Sequence, residues 1–236
     1  MLTEDKIQQN KETFLNLIRS ITREGIQMDR LVAQLEGSDF FTAPASTIYH
    51  NAYRGGLCEH SLNVYYTLCK FVKDLYPIQN DTDIEGVGTY TACPYTEDSL
   101  KIVALLHDFD KINKYERTVK NQKVYSENGS KYDDMGRYDW VSVPGYKRKD
   151  NTEVFILGTH GENSVYMTET FVPLNVEEHC AILNHHSVYD NPNLNTTAIY
   201  NRYSLACLLH IADMASTYIL ERYESNSEEI NLNVNP

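Results

Sequence analysis

Positive charge is scarce in this sequence. The 236 residues include 21 lysines and arginines against 33 aspartates and glutamates, which gives a formal net charge of −12 at pH 7. A long nucleic-acid groove needs basic side chains in number to neutralise the phosphate backbone. We therefore expect no long nucleic acid as a partner, whereas a small phosphorylated substrate is compatible with the charge.

Long apolar runs and closely spaced cysteines are also missing. No run approaches the roughly 18 residues that a membrane-spanning helix needs, and the polar, acidic residues 1–6 do not resemble a signal peptide. The five cysteines form no Cys-x-x-Cys pair, which is typical of reduced thiols rather than of a disulfide framework. We expect a cytoplasmic protein without a membrane partner. The sequence indicates no particular oligomeric state.

The composition is that of one globular domain, with 42% hydrophobic and 23% charged residues. Apolar spacing on either side of Gly25 predicts a helical segment within residues 1–43. The main domain then covers residues 44–223, with turn-forming residues at 77–96 as an irregular connection. The acidic, Asn-rich residues 224–236 are predicted to be a flexible tail.

The dipeptide His107-Asp108 is the feature around which the other candidate site residues are arranged. Residues 97–106 have the apolar spacing of a helix, so both side chains fall near a buried helix end. A buried carboxylate without a partner loses several kcal/mol of solvation, so it must be paired, hydrogen-bonded or coordinated. Taken alone, Asp108 is better explained as a helix-end side chain that accepts hydrogen bonds from loop amides.

Four further stretches carry side chains of the same chemistry. They are Gly55-Gly56-Leu57-Cys58-Glu59-His60, Gly158-Thr159-His160, Asn184-His185-His186 and His210-Ile211-Ala212-Asp213. In this order the chain is similar to the HD superfamily of metal-dependent phosphohydrolases, and the resemblance covers roughly residues 44–223. It implies an all-α HD-domain helical bundle.

The resemblance also implies a ligand set. One metal would take His60, His107, Asp108 and Asp213. A second would take His160 with His185 or His186, and Asp108 would bridge the two ions. Mixed imidazole and carboxylate ligands favour Mn²⁺, Fe²⁺ or Zn²⁺, and Mg²⁺ is possible. The implied catalytic residues are Asp108 and Lys111.

The lead-in to His60 is similar to that of bacterial 3′-to-5′ exoribonucleases of the HD type, where a His-x-Ala-Tyr-x-Gly-Gly-Leu run precedes the ligand. By this resemblance His50 and Arg54 would contact a phosphate, together with Lys111 and Lys114. For His50 and Arg54 a structural or surface role is an equal alternative.

Residues 119–157 predict a small β-hairpin insertion, because apolar and polar residues alternate on either side of Asn128-Gly129. It follows the metal motif directly and would form a lid over the site. The side chains available to stack on a base are Tyr125, Tyr132, Tyr138 and Trp140. The alternative, which is favoured for any one of these aromatic residues, is a hairpin that only packs on its own helix.

Together these features predict a phosphohydrolase that cleaves a phosphoester or phosphodiester bond in a nucleotide or short oligonucleotide. No Gly-Tyr-Pro extension follows His186, unlike in the cyclic-dinucleotide phosphodiesterases, and residues 1–49 are too few for the nucleic-acid-binding domain that precedes the HD core of the exoribonucleases. The alternatives are a 3′-to-5′ exonuclease on short single strands and a non-catalytic protein that binds metal and nucleotide.

Overall fold

The structure, a computed structural model, describes residues 2–76, 93–190 and 192–221. The predicted tail at residues 224–236 lies outside the described residues, as does most of the connection predicted at 77–96. The helices are α1 (Glu4–Arg19), α2 (Met28–Gly37), α3 (Gly56–Leu75), α4 (Glu97–Leu106), α5 (His160–Glu169), α6 (Val176–Leu183), α7 (Thr196–Arg202) and α8 (Ser204–Ala215). The strands are β1 (Tyr115–Tyr125), β2 (Lys131–Asp133) and β3 (Gly136–Arg148).

The N-terminal helices are part of the main core. Phe14 of α1 lies 4.7 Å from Phe40, ring centroid to centroid, and Phe40 lies 6.4 Å from Phe109, next to Asp108. Arg23, between α1 and α2, forms a two-pronged ion pair with the fully buried Glu178 of α6. Phe40 thus joins α1 to the residue that follows Asp108, and Arg23 joins the connection between α1 and α2 to α6.

Two amphipathic helices form the centre of the core. Helix α3 buries Leu57, Val64 and Leu68 completely, and it packs against α4 and α8. Thr96 caps the N-terminus of α4 by accepting a hydrogen bond from the Ser99 amide. Helix α4 is buried from Ser99 to Leu106, so His107, the residue that follows it, also lies in the interior.

The expected all-α class is wrong. The protein is mixed α/β, with 51% of the described residues in helices and 13% in strands, and β1, β2 and β3 form a three-stranded antiparallel sheet. The strand order is β1-β3-β2, so β1 pairs with β3 and not across Asn128-Gly129. The tight turn between paired strands lies at Asp133–Gly136 instead, where Gly136 has a φ of 120°. Alternation located the strands, but it carries no information on which strand pairs with which.

The last long helix predicted from about residue 197 to 223 is also interrupted. Helices α7 and α8 meet at Tyr203 and are bent by 114°, and the Leu205 amide at the start of α8 donates to Glu177 of α6. A π-helical turn, Ser216–Leu220, follows α8. Residues 222 and 223 lie outside the described part of the chain. The apolar spacing continues through Tyr203, so the sequence pattern alone gives no sign of the bend.

Within the described ranges, no helix taken alone has the length and apolar character needed to cross a membrane; α7 and α8 with its π-turn satisfy the criterion only as a bent pair.

Candidate metal centre

Separate elements bring the predicted ligands together. His60 lies on the buried face of α3, and His107 and Asp108 follow the last residue of α4. His160 is the first residue of α5, His185 and His186 follow α6, and Asp213 lies near the end of α8. All except His160 and His186 are at most 5% exposed.

Asp108 lies between two groups of histidines. Its Oδ2 atom is 3.5 Å from Nε2 of both His60 and His107. Its Oδ1 atom is 2.7 Å from His160 Nε2 and 3.6 Å from His185 Nε2. Each carboxylate oxygen therefore faces a different set of ring nitrogens, which is the arrangement that a bridging ligand requires.

The first group, on the Oδ2 side of Asp108, contains His60, His107 and Asp213. His60 Nε2 lies 3.2 Å from Asp213 Oδ1 and 3.2 Å from His107 Nε2. The ligand atoms of His60 and His107 converge with that of Asp108, and Asp213 converges with His107 and His185, so Asp213 also borders the second group.

The second group, on the Oδ1 side, contains His160, His185 and His186. Their rings are within 5.0 Å of one another, centroid to centroid. Both His185 and His186 belong to the group whose ligand atoms, with those of Asp108 and His160, all lie within 4.8 Å. These buried groups could hold a metal ion.

Two of the histidines are held in the same way. His107 Nδ1 donates to the carbonyl of Ala104 at 2.8 Å, and His185 Nδ1 donates to that of Ile182 at 2.7 Å. A carbonyl only accepts, so the proton is on Nδ1 and the lone pair of a neutral ring is on Nε2. Nε2 of His185 is buried and has no hydrogen-bond partner among the described residues. A buried, unpaired nitrogen lone pair beside a carboxylate fits a metal ligand.

Glu221 was not predicted as a site residue, but its carboxylate contacts His60 at Nδ1, the ring nitrogen that faces away from the cluster. Its Oε2 lies 2.9 Å from His60 Nδ1, and Asn63 donates to its Oε1 at 2.8 Å. The π-turn directs Glu221 inward, and its amide bonds to the Ser216 carbonyl. A carboxylate on the far nitrogen is a common support of a metal-bound histidine. The available signal was spacing, because Glu221 lies eight residues beyond Asp213, near the same helical face.

Asp110 forms an ion pair with His160 from the corresponding side and was also missed. Its Oδ1 lies 2.6 Å from His160 Nδ1, opposite the nitrogen that faces Asp108. Lys114 pairs with the other oxygen of Asp110. Asp110 is two residues after Asp108, but the His-Asp motif alone does not show that its side chain is buried.

Electrostatics divide the histidines into two kinds. Burial opposes charge on His60, but the carboxylates of Glu221 and Asp213 outweigh it and raise its pKa to about 10. Burial likewise opposes charge on His160, whose pKa Asp110 and Asp108 raise to about 9. Burial lowers the pKa of His107 to about 3 and that of His186 to about 4. Without metal, His60 and His160 therefore carry protons at neutral pH, and metal binding must displace them.

The predicted substrate-binding residues lie in different places. Lys111 is buried, and its Nζ is 2.7 Å from Asp108 Oδ2. His50 packs on His60 at 4.7 Å, centroid to centroid, and neither of its ring nitrogens has a hydrogen-bond partner among the described residues. Lys114 reaches the site only through Asp110. Arg54 instead pairs with Glu4 at the start of α1, so the structure does not bring it to the cluster.

Backbone strain is concentrated beside the cluster. The described non-glycine residues with positive φ are Asn51, Asn113 and Ser187. They directly follow or lie between predicted site residues: Asn51 follows His50, Asn113 lies between Lys111 and Lys114, and Ser187 follows His186. Such conformations persist where surrounding contacts hold them, and they cluster at functional sites.

Comparison with known proteins gives no match: no family model, no curated protein and no solved structure matches this chain.

Proposed function

We propose that this chain is a metal-dependent phosphohydrolase of the HD type, which cleaves a phosphoester or phosphodiester bond in a nucleotide or short oligonucleotide in the cytoplasm. The observation that carries the proposal is Asp108, whose two oxygens face separate groups of histidines. A buried carboxylate can accept several hydrogen bonds, but here imidazole nitrogens from separate elements approach both oxygens, beside the Lys111 ammonium on Oδ2. That distribution suits two divalent ions, with Mn²⁺, Fe²⁺ or Zn²⁺ favoured by the histidines and Mg²⁺ possible.

The metal ligands, Lys111 and His50 would have different roles in the reaction. When bound, a pair of divalent ions would activate water and neutralise charge on both oxygens of an in-line phosphoryl displacement. Lys111, beside Asp108, would offer its ammonium to a phosphoryl oxygen as a point charge. Burial lowers the pKa of His50 to about 3, so this neutral ring has one donor and one acceptor for a substrate.

A direct test is hydrolysis of a defined panel by the metal-loaded protein. The panel contains bis-p-nitrophenyl phosphate, nucleoside mono-, di- and triphosphates, cyclic dinucleotides and single-stranded oligonucleotides of two to twelve residues. We expect turnover of at least one class, and we expect Lys111→Met to reduce kcat/KM while metal content is retained.

The panel also separates the alternatives. Stepwise release of 5′-nucleotides from oligonucleotides would identify the 3′-to-5′ exonuclease. Tight metal and nucleotide binding with no hydrolysis of any compound would mean a non-catalytic binding protein and would refute the enzymatic proposal.

A further inference from the structure

The sheet carries unlike side chains on its two faces. In an antiparallel ladder, directly opposite residues point to the same side, so the register assigns each residue to a face. On one side four pairs join a cation to an aromatic ring: Tyr115 with Arg148, Arg117 with Tyr146, Lys123 with Trp140, and Lys131 with Tyr138. The pairs Val119 with Pro144 and Asn121 with Ser142 lie between them on the same side. We call this side the aromatic–basic face. Tyr125, opposite Tyr138, adds a fifth ring to it.

The charge of this region differs from that of the rest of the chain. Residues 115–148 contain seven lysines and arginines and five acidic residues, a net +2 within a total of −12. The aromatic–basic face itself has four cations and one carboxylate, Asp133, which is engaged by Lys123 at 2.6 Å and by the Tyr125 hydroxyl at 3.0 Å. A positive, ring-bearing strip on an acidic protein is complementary to a polyanion that also carries flat bases.

The face is not used to build the core. No residue of β1, β2 or β3 is buried, and Trp140 is 49% and Tyr125 is 41% exposed. Where the sheet touches the body, Lys120 of the opposite face donates to the Thr47 carbonyl at 2.6 Å. Antiparallel sheets ordinarily pack one face on a core. Trp140 and Tyr125 lie against Tyr138, and Lys123 lies over the rings of Tyr138 and Trp140. The exposure of Trp140 and Tyr125 therefore needs an explanation other than core packing.

The strip begins at the metal centre. Tyr115 follows Lys111 by four residues and interacts electrostatically with Lys111 and Asp108. The returning strand is fixed at the same point, where the Lys149 amide donates to the Lys114 carbonyl at 2.9 Å. From Tyr115 to Tyr125, strand β1 extends about 33 Å at roughly 3.3 Å per residue. A ligand lying along it would have one end at the buried His and Asp cluster.

We propose that the aromatic–basic face binds a single-stranded oligonucleotide and leads one of its ends to the metal centre. Bases stack on Tyr125, Tyr138 and Trp140 near the tip of the sheet, and Arg117 and Arg148 contact phosphates nearer the root. The part concerning the metal centre rests on the proposed function, whereas binding to the face does not. Alternating rings and cations recognise strands without reading sequence, so RNA and DNA are both expected to bind.

Tryptophan fluorescence can report binding at this face, because Trp140 is the single tryptophan of the sequence. Full-length protein in EDTA, which prevents hydrolysis, is titrated with oligo(dT) and oligo(rU) of two to twelve nucleotides while tryptophan fluorescence is followed. We expect saturable quenching that strengthens with length and weakens with added salt. Thymidine monophosphate at equal nucleotide concentration should quench far less.

Variants on the two faces give a matched comparison. Anisotropy of labelled dT12 should show an affinity loss of about 5- to 150-fold for Trp140→Ala or Tyr138→Ala. Tyr132→Ala removes a ring that is 75% exposed on the opposite face and should change the affinity less than twofold. Circular dichroism checks that each variant keeps its sheet.

Three results would overturn the inference: no quenching by any oligonucleotide, equal affinity losses for Tyr132→Ala and Trp140→Ala, or binding only of an acidic polypeptide such as polyglutamate. The proposed function fails differently. Oligonucleotide binding without metal uptake or hydrolysis would support binding by the aromatic–basic face and refute the proposed phosphohydrolase. Hydrolysis of bis-p-nitrophenyl phosphate without oligonucleotide binding would support the phosphohydrolase and refute binding by the face.

Discussion

At the scale of single residues, the candidate site depends on carboxylates that do not face the metal positions. Glu221 holds His60, and Asp110 holds His160, each through the nitrogen opposite the cluster. Both orient a ring so that its other nitrogen points inward. The sequence indicated the inner residues through the His-Asp motif, but these supports belong to no motif. Spacing from Asp213 was the signal available for Glu221, and the burial of Asp110 depends on the fold.

Changing Glu221 to Gln should weaken metal binding without removing a ligand. Loss of such a support typically costs 10- to 100-fold in metal affinity, and competition with a chromophoric chelator measures it. The matched control is Glu169→Gln, which alters a similar pair at 2.9 Å with the half-exposed His179, away from the cluster. Unchanged affinity in Glu221→Gln would show that His60 is oriented by its packing alone.

The histidine pKa values predict a stability maximum near pH 6.5 for metal-free protein. His50, His107 and His186 have pKa values of about 3 to 4 when folded, so below pH 6.5 the unfolded chain binds more protons and stability falls as the pH drops. His60 and His160 have raised values of about 10 and 9, so above pH 6.5 the folded protein holds more protons and stability falls as the pH rises.

Urea midpoints of chelator-treated protein at pH 5, 6.5 and 8.5 test this prediction. Added metal should move the maximum to higher pH, because its ligands must be deprotonated. A metal-free protein that is most stable at pH 8.5 would contradict the assigned charges of His60 and His160.

At the scale of elements, the second histidine group depends on a close approach of two helices. Gly161 of α5 lies against the end of α6, where an added Cβ would be 2.1 Å from the Leu183 carbonyl oxygen. This approach places His160 beside His185. Neither helix shows it in its sequence, because a glycine inside a helical pattern is compatible with many contacts.

Gly161→Ala should therefore displace His160 and remove the second metal while the first group remains occupied. Elemental analysis should give about one equivalent less than in the wild type. Gly37→Ala, a helical glycine with open space around it, serves as the control and should bind as the wild type does. If Gly161→Ala keeps full metal content, the approach of α5 to α6 is not what positions His160.

The elements also show where periodicity was informative. Apolar spacing located α3 and α4 and placed His60 and His107 on buried positions, since helix faces follow directly from sequence. It did not reveal the bend at Tyr203 or the strand order β1-β3-β2, because both depend on contacts between distant residues, such as the Glu177 side chain at the Leu205 amide. The error in fold class has another origin: the family resemblance implied an all-α bundle, and the strands that alternation located were counted as a small insertion rather than as part of the fold class.

At the scale of the whole molecule, an acidic helical body surrounds a buried His and Asp cluster, and an unpacked basic sheet begins beside it. The helices provide ligands from α3, α4, α5, α6 and α8, which only the tertiary fold assembles. The order of these ligands along the chain was readable from the sequence. Their distribution around the two oxygens of Asp108 was not, since it depends on side-chain positions.

The account is tested most directly by metal stoichiometry. Wild type, His160→Ala and Asp108→Ala are stripped, reloaded with Mn²⁺, Fe²⁺ or Zn²⁺, desalted and subjected to elemental analysis. Because Asp108 is shared by both groups and His160 belongs to one, we expect about two equivalents in wild type, about one in His160→Ala and almost none in Asp108→Ala. Equal metal content in all three proteins, or none in folded wild type, would contradict a shared metal centre at Asp108.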